Sequence, residues 1–360
     1  MANYTISVIN GDGIGPEVIA EGRKALVALG KRGGHSFAFT EYLAGGCAID
    51  ATGVPLPDDT IKGVKDSQAL LFGAIGGPKW ENVPHHLKPE AGLLKLRKEL
   101  DAWANLRPAV VYDELCDAST IKPEVLKGTD IMVLRELTGG IYFGTPRGIE
   151  GSGPTRKGFN TEVYSEFEVE RIVTMAFEIA RGRKKKVCSV DKANVLESSQ
   201  LWREVAIRVG KTFPDVTLSH MYVDNAAMQL IRDPKQFDVI VTGNIFGDIL
   251  SDEASQLTGS IGMLASASVG GPVGFFEPIH GSAPDIAGQK KANPLATIGT
   301  VALLLRYGLK LNQEAELIER AIKSVLKSGL RTVDIKQPGC TLVDTVTMGE
   351  AVVKQIATLA

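Results

Sequence analysis

Two aspartates, Asp248 and Asp252, stand four residues apart after the apolar run 239–242 and a glycine turn. On a helix, this spacing puts both carboxylates on one face. A hard divalent ion such as Mg²⁺ or Mn²⁺ would take oxygen ligands there. Acidic side chains are equally typical of a helix start, where the helix dipole favours negative charge. The pair alone leaves the two interpretations open.

Three arginines lie at the ends of predicted elements, namely Arg97, Arg107 and Arg135. Guanidinium groups grip carboxylates through paired hydrogen bonds, so three of them could hold a dicarboxylate. Each arginine taken singly is more typical of a surface ion pair. Glu90, Leu93 and Arg97 follow the i, i+3, i+7 spacing that puts a carboxylate, an alkyl group and a guanidinium on one helix face.

Glycine-rich segments could bring bare backbone to a ligand. The segment 11–16 begins like a dinucleotide fingerprint, but its last glycine position is Pro16, which favours a strand-to-helix turn with proline at the first helical position. The turn 71–78 could face a cofactor or substrate, or could simply reverse the chain. The loop 277–288 is rich in Gly, Pro and polar groups, and it could wrap a nucleotide or be structural.

Apolar β-branched runs alternate with amphipathic stretches, which is typical of an α/β fold. The predicted strands are 5–9, 69–72, 131–134, 186–190, 216–222 and 239–242. The predicted helices are 17–29, 93–104, 166–181, 199–211, 249–257, 292–305 and 313–328. The segment 145–160 has no periodicity, so we expect an excursion or an arm there.

Composition excludes several classes of protein. The chain has 360 residues, which predicts two domains, and its net charge of −2 offers no general attraction to nucleic acid or anionic membranes. The four cysteines lie far apart, which argues against a disulfide framework or a structural zinc site and favours a reducing compartment. The run 254–276 carries no charge, but its many Ser and Gly residues make it too polar to span a bilayer. With no secretory signal visible, we expect a cytoplasmic protein without a nucleic-acid or membrane partner.

The segments 10–17 (NGDGIGPE), 89–107, 242–252 and 277–288, in this order, resemble the β-decarboxylating dehydrogenases, the family of isocitrate and isopropylmalate dehydrogenases. The segment 244–252 (NIFGDILSD) is the most specific match. The resemblance covers essentially the whole chain. It implies an open two-domain α/β fold that is not a Rossmann fold. Residues 1–104 and 255–360 would form a discontinuous first domain with the NAD site, and residues 105–254 a second domain with the dimer interface and the arm.

The resemblance also implies the substrate contacts. Arg97, Arg107 and Arg135 would bind the malate carboxylates, while Glu90, Leu93 and Leu94 would line the pocket for the alkyl group. Two leucines suit a branched hydrocarbon and would leave a third carboxylate without partners, which favours 3-isopropylmalate over isocitrate. The expected reaction is its oxidative decarboxylation to 4-methyl-2-oxopentanoate and CO₂ in leucine biosynthesis. Tartrate, D-malate and homoisocitrate are the alternative substrates.

The same resemblance implies the catalytic and metal residues. Tyr142 and Lys192 match the family's acid–base pair, and Asp224 matches a third metal carboxylate beside Asp248 and Asp252 for Mg²⁺ or Mn²⁺. Asp224 would also contact the substrate. In the family, Lys192 and Asp224 reach the site from the neighbouring subunit, so the resemblance implies a homodimer with shared sites. A catalytically inactive regulatory subunit is the alternative of a different class, and the complete residue set argues against it.

The resemblance further implies NAD as the cofactor. His280 and Asn293 would lie near the adenine and Asp285 on the ribose hydroxyls, where an anionic carboxylate would repel the 2′-phosphate of NADP. The full set of expected NAD-binding residues is Ile75, Glu277, His280, Gly281, Ser282, Ala283, Pro284, Asp285 and Asn293.

Overall fold

The computed structural model describes residues 2–359 as alternating strands and helices, which confirms the α/β prediction. The strands are β1 Ala2–Gly11, β2 His35–Glu41, β3 Ala69–Ala74, β4 Ala104–Val110, β5 Asp130–Glu136, β6 Gly148–Glu150, β7 Lys157–Phe159, β8 Lys186–Asp191, β9 Thr217–Tyr222, β10 Val239–Thr242, β11 Ala265–Val269, β12 Gly274–Pro278, β13 Leu330–Arg331 and β14 Thr341–Leu342. The helices are α1 Gly15–Gly33, α2 Gly46–Thr52, α3 Asp58–Lys65, α4 Pro89–Glu99, α5 Pro123–Leu126, α6 Glu166–Arg181, α7 Glu197–Gly210, α8 Val223–Arg232, α9 Asn244–Ser255, α10 Leu295–Leu303, α11 Asn312–Lys327 and α12 Thr345–Thr358.

The chain separates into two compact units. The first comprises the chain up to Ala102, the segment Tyr112–Thr120 and the chain from Thr258 onward. Its strands run in the order β2-β1-β3-β12-β11, and all neighbours are parallel except the antiparallel pair β11 and β12. Every residue of β3 is buried, as expected for a central parallel strand whose sequence is a continuous apolar run. Helices α1, α10, α11 and α12 pack together in this unit.

A hydrophobic cluster of the first unit supports α4 and the turn after β3. Phe72 and Phe275 lie in this cluster with their ring centroids 4.8 Å apart, and Leu96 of α4 is fully buried against them. Ile75 and Leu93 are partly buried and pack against the same cluster. Helix α4 is therefore held in place by the packing of its apolar face, including Leu93 and Leu96, against this cluster.

The second unit comprises Trp103–Val111 and Ile121–Leu257. Its strands run in the order β4-β5-β10-β8-β9, with β4 antiparallel to β5 and the other neighbours parallel. Neither strand order is that of a Rossmann fold. The segment predicted as an excursion or arm contains the antiparallel pair β6 and β7, whose residues are exposed except for the half-buried Phe159.

Of the predicted helices, α9 and α4 differ most from the structure in their boundaries. Helix α9 begins at Asn244 rather than at residue 249, and α4 covers Pro89–Glu99 rather than 93–104, with β4 starting at Ala104. Among residues 2–359, no helix is both long and apolar enough to cross a bilayer.

Candidate active site

Arg135, Asp248 and Tyr142 form the centre of a polar cluster in the second unit. Arg135 lies at the end of β5, and its Nη1 donates to Asp248 Oδ1. Tyr142 follows β5 in a short turn, and its hydroxyl donates to the other carboxylate oxygen of Asp248 at 2.9 Å. The Arg135 guanidinium carbon lies 5.7 Å from the centre of the Tyr142 ring. A single carboxylate thus joins a predicted substrate-binding arginine and the predicted acid.

Arg107 extends this cluster from the neighbouring strand. In the antiparallel pairing of β4 with β5, Asn105 lies opposite Arg135 and Arg107 lies opposite Val133, so the two arginines are diagonal neighbours on one face of the sheet. Arg107 Nη1 donates to Asp252 Oδ1 at 2.9 Å and lies 3.9 Å from Asp248 Oδ1. The structure therefore brings Arg107, Arg135, Tyr142, Asp248 and Asp252 together.

The acidic pair fits the predicted divalent cation in its ligand chemistry. Asp248 and Asp252 project from one side of α9, their side chains are 33% and 66% exposed, and carboxylate oxygens are what Mg²⁺ and Mn²⁺ prefer. Residues 2–359 of this single chain contain no group of three or more His, Cys, Asp or Glu side chains arranged to hold a metal ion.

Lys192 and Asp224 form a separate pair in the same unit. Lys192 follows β8 and Asp224 follows β9, and these parallel strands end side by side, with Asp191 paired to Tyr222. Lys192 Nζ donates to Asp224 Oδ1 at 2.9 Å, and this bond lowers the pKa of the Asp224 carboxyl. Within the chain, the lysine of the predicted acid–base pair and the third predicted metal carboxylate contact each other.

Burial raises the pKa of Tyr142, and the carboxylate of Asp248 raises it further. Both effects disfavour the phenolate, so the phenol keeps its proton at neutral pH. This protonation state is the one that the predicted role of proton donor requires.

In the first unit, α4 carries the four remaining residues predicted to bind the substrate. Arg97 Nη2 donates to Glu277 Oε1 at 2.5 Å, and its guanidinium carbon lies 5.7 Å from the Phe275 ring centre. Glu90 is exposed in the first turn of α4, and Leu94 is 50% exposed. Because Leu93 is committed to the hydrophobic cluster, Leu94 is the alkyl group of α4 that is most available to a ligand.

The predicted nucleotide loop follows β12. His280 is buried, its Nδ1 lies 3.0 Å from the Gly281 carbonyl oxygen, and its buried Nε2 has no hydrogen-bond partner in the structure. Burial lowers the pKa of His280, so its ring is neutral at pH 7. Asn293 accepts from the Leu295 backbone N–H at the start of α10. Of the other predicted NAD-binding residues, Ser282 is buried, Ile75 and Ala283 are half-buried, and Gly281, Pro284 and Asp285 are exposed.

The N-terminal glycine-rich turn supports this loop, a role that the sequence analysis missed. Ile14 donates its backbone N–H to the Ser282 carbonyl at 2.8 Å. The Glu17 carboxylate accepts the backbone N–H groups of Gly288 and Lys290. A side chain at Gly13 would meet the Ser282 carbonyl oxygen at 1.9 Å, so only glycine permits this close approach.

Asp12, in the same turn, was also missed. Its buried carboxylate accepts the backbone N–H groups of Gly46, Cys47 and Gly76 at 2.7, 2.7 and 2.8 Å. It therefore ties the turn before α1 to the start of α2 and to the turn that carries Ile75. An acidic residue between two glycines, outside any helix, is the only sequence signal that could have pointed to it.

Comparison with known proteins identifies the family. A sequence model of the isocitrate/isopropylmalate dehydrogenase family matches residues 5–352, so the chain belongs to this family of dehydrogenases and the resemblance seen in its motifs is confirmed. The chain is 60% identical over 335 residues to the 3-isopropylmalate dehydrogenase of Wolinella succinogenes, covering 93% of this chain and 92% of that protein. It is 59% identical over 356 residues to 3-isopropylmalate dehydrogenase 2, chloroplastic, of Arabidopsis thaliana, covering 98% and 88%.

A solved structure supports the fold of that family. The crystal structure of isocitrate dehydrogenase from Methylococcus capsulatus matches with a TM-score of 0.86 and 32% sequence identity, covering 99% of this chain and all of that one. The predicted isocitrate/isopropylmalate dehydrogenase fold is thereby confirmed.

Proposed function

We propose that this protein catalyses the NAD-dependent oxidative decarboxylation of 3-isopropylmalate to 4-methyl-2-oxopentanoate and CO₂, in the pathway of leucine biosynthesis. The observation that carries the proposal is the identity of about 60% over nearly the full length to proteins with that name. The partly exposed Leu94 on α4 supports it, because an alkyl group suits a branched hydrocarbon and offers nothing to a third carboxylate.

The substrate carboxylates are assigned to three arginines. Arg107 and Arg135 are already engaged with carboxylates, those of Asp252 and Asp248, and Arg97 is engaged with Glu277. Each guanidinium is at most 20% exposed, which strengthens its interaction with an anion relative to a fully solvated group. Glu90 and Leu93 complete the predicted substrate contacts on α4.

The proposed proton transfers use Lys192 and Tyr142. A base near Lys192 takes the proton of the substrate hydroxyl, and Tyr142 returns a proton to carbon after CO₂ has left. A divalent cation held by Asp224, Asp248 and Asp252 would supply Lewis-acid polarisation of the hydroxyl and the adjacent carboxylate. NAD, held by Ile75 and the residues of the 277–293 segment, would accept the hydride.

We infer that the active form is a homodimer. On α8 and α9, which pack together in the second unit, Met228, Ile231 and Ile249 are 61%, 42% and 58% exposed. An apolar surface of this kind is typical of a protein interface, and a second copy of the same face would cover it in a two-fold arrangement. In that dimer, Lys192 and Asp224 serve the partner's site, and the ribbon β6–β7 is the predicted arm.

We place the enzyme in the cytoplasm, as a protein of a reducing compartment. All four cysteines are free thiols, which is typical of such compartments.

The test of the function is NADH formation with 3-isopropylmalate, isocitrate, homoisocitrate, D-malate and tartrate side by side. The proposal predicts the highest kcat/KM for 3-isopropylmalate, activity with Mg²⁺ or Mn²⁺, and loss of activity with a chelator. Asp248→Asn should abolish turnover while the protein stays folded. A higher kcat/KM for another acid would refute the substrate, and full activity in the chelator would refute the metal site.

Shared sites are tested by complementation. Lys192→Ala and Tyr142→Phe are mixed, dissociated and allowed to form heterodimers, in which one site carries both substitutions and the other carries neither. Activity should rise well above that of either variant, towards half the wild-type value per heterodimer. If mass spectrometry shows heterodimers but no activity returns, each lysine serves its own subunit.

A further inference from the structure

We propose that Asn244 is a positioning residue, whose buried side-chain amide fixes Arg135 and the turn of Tyr142 against the start of α9. This inference rests on the proposed function, because it assigns Asn244 a task through the substrate-binding arginine and the proton donor. Asn244 begins the segment 244–252, the most specific match to the family motifs, yet the proposed metal binding and acid–base chemistry do not use its side chain.

Both ends of the Asn244 amide are engaged, although the residue is only 1% exposed. Its Oδ1 accepts from Arg135 Nε at 2.9 Å. Its Nδ2 donates to the carbonyl oxygens of Leu137 and Gly139 at 3.2 and 3.0 Å. Its backbone N–H donates to the Tyr164 hydroxyl at 2.7 Å, which anchors the first residue of α9.

The Arg135 guanidinium is held at two points along one face of α9. Nε meets Asn244, at the first position of α9, and Nη1 meets Asp248 one turn later. Gly247 allows this approach, because a Cβ there would lie 2.6 Å from the Arg135 Cβ. Without the Asn244 amide oxygen, Arg135 keeps the bond from Nη1 to Asp248 but loses the bond from Nε, which fixes the orientation of the guanidinium plane.

The turn of Tyr142 is held from two directions. The Glu136 carboxylate accepts the backbone N–H groups of Thr138 and Gly139, and Asn244 binds the carbonyl oxygens of Leu137 and Gly139. Tyr142 lies three residues beyond Gly139, and its hydroxyl must reach a carboxylate on the same helix that Asn244 begins. The amide therefore sets the distance between the turn and α9.

Only an amide satisfies this set of partners. An aspartate at position 244 has nearly the same shape and could still accept from Arg135, but it would turn an acceptor towards two carbonyl oxygens. A leucine has a similar volume and could neither accept nor donate. The pair Asn244→Asp and Asn244→Leu therefore separates loss of the two donor bonds from loss of the whole set.

The experiment compares these variants as purified, metal-loaded dimers of the full chain. We expect both to raise the KM for 3-isopropylmalate and to lower kcat, each by about tenfold or more, with the larger KM effect for Asn244→Leu. The KM for NAD should stay within about twofold of the wild-type value. Asn312→Asp is the matched control, since Asn312 is an exposed amide at the start of α11, and it should leave all constants unchanged.

A second readout isolates the proton transfer at carbon. The exchange of the C3 hydrogens of 4-methyl-2-oxopentanoate with D₂O, followed by NMR, involves no hydride transfer, so it reports on Tyr142 without the redox step. It should fall in both variants. A merely structural role would lower the melting temperature and leave the exchange rate and the substrate KM unchanged.

The inference is overturned if a folded Asn244→Asp dimer keeps the wild-type kcat, substrate KM and exchange rate, or if the KM for NAD rises as much as that for the substrate. If Asn244→Leu does not fold, the isosteric Asn244→Asp carries the same expectation. If the wild type prefers another 2-hydroxy acid, the proposed substrate fails, but the constants for that acid test Asn244 equally well.

Discussion

The carboxylate of Asp12 offers the sharpest test of how the first unit positions its turns. Oδ2 accepts from the backbone N–H groups of Gly46 and Gly76, and Oδ1 accepts from that of Cys47. In Asp12→Asn, the amide oxygen can keep the first two bonds, but the amide nitrogen then faces the Cys47 N–H. The Cys47 N–H is partly buried, and leaving such a donor without a partner costs about 1–3 kcal/mol. Asp12→Ala leaves three such donors and should cost at least about 3 kcal/mol.

Urea unfolding of the protein, followed by circular dichroism, measures the stabilities of wild type, Asp12→Asn and Asp12→Ala, which we expect to decrease in this order. Because the Gly76 turn carries Ile75, the KM for NAD should rise in the same order. Asp50→Asn is the control, since Asp50 is an exposed carboxylate of the same unit that pairs with Lys79, and it should change little. Equal urea midpoints for wild type and Asp12→Asn would refute the assignment of the three bonds.

Three further perturbations have defined outcomes. Leu94→Ser should lower kcat/KM for 3-isopropylmalate relative to D-malate by about tenfold, because two substrate methyl groups lose burial worth roughly 0.8 kcal/mol each. Its stability should not change, whereas Leu93→Ala should lower the urea midpoint because Leu93 packs against the hydrophobic cluster. Burial lowers the pKa values of His280 and His220 below the usual 6.5, so the unfolded chain binds protons at these residues first as the pH falls. The free energy of unfolding should therefore decrease below about pH 6.5, by up to about 1.4 kcal/mol per pH unit for each proton. His280→Gln should make this decrease less steep. Burial and the Asp12 carboxylate raise the pKa of Cys47 to about 11, so iodoacetamide should modify Cys47 at pH 8 roughly a hundredfold more slowly than an ordinary thiol, as followed by mass spectrometry.

The sequence predicted the α/β class and most central strands, because buried parallel strands have uninterrupted apolar runs. It missed β4, in which Pro108 follows Arg107, since proline within a run argues against a strand. It also missed β11, whose Ala and Ser residues carry little strand signal, and β12, whose two phenylalanines lie between a glycine and a Glu-Pro end. These three strands hold or flank Arg107, Glu277 and His280, so the weakest predictions fell next to candidate site residues.

The sequence analysis placed the start of α9 at residue 249, whereas the helix begins at Asn244. Gly247 lowers helix propensity, and the stretch before Asp248 was therefore interpreted as a turn. In the structure, Gly247 lies inside the helix, and the Arg135 side chain passes so close to it that no larger residue fits there. Asn244 and Arg135 are 109 residues apart, and Asp12 and Gly76 are 64 apart. Contacts of this range depend on the folded arrangement of elements, which residue spacing does not specify.

The corrected start of α9 bears on one of the two interpretations of its aspartates, the one based on the helix dipole. The dipole of a helix favours negative charge within the first turn. Asp248 is the fifth residue of α9 and Asp252 the ninth, and the first turn contains no acidic residue. The helix dipole therefore does not account for either side chain. Instead, each carboxylate faces an arginine, Arg107 of β4 or Arg135 of β5. These are two of the arginines that the sequence analysis predicted to bind the substrate carboxylates.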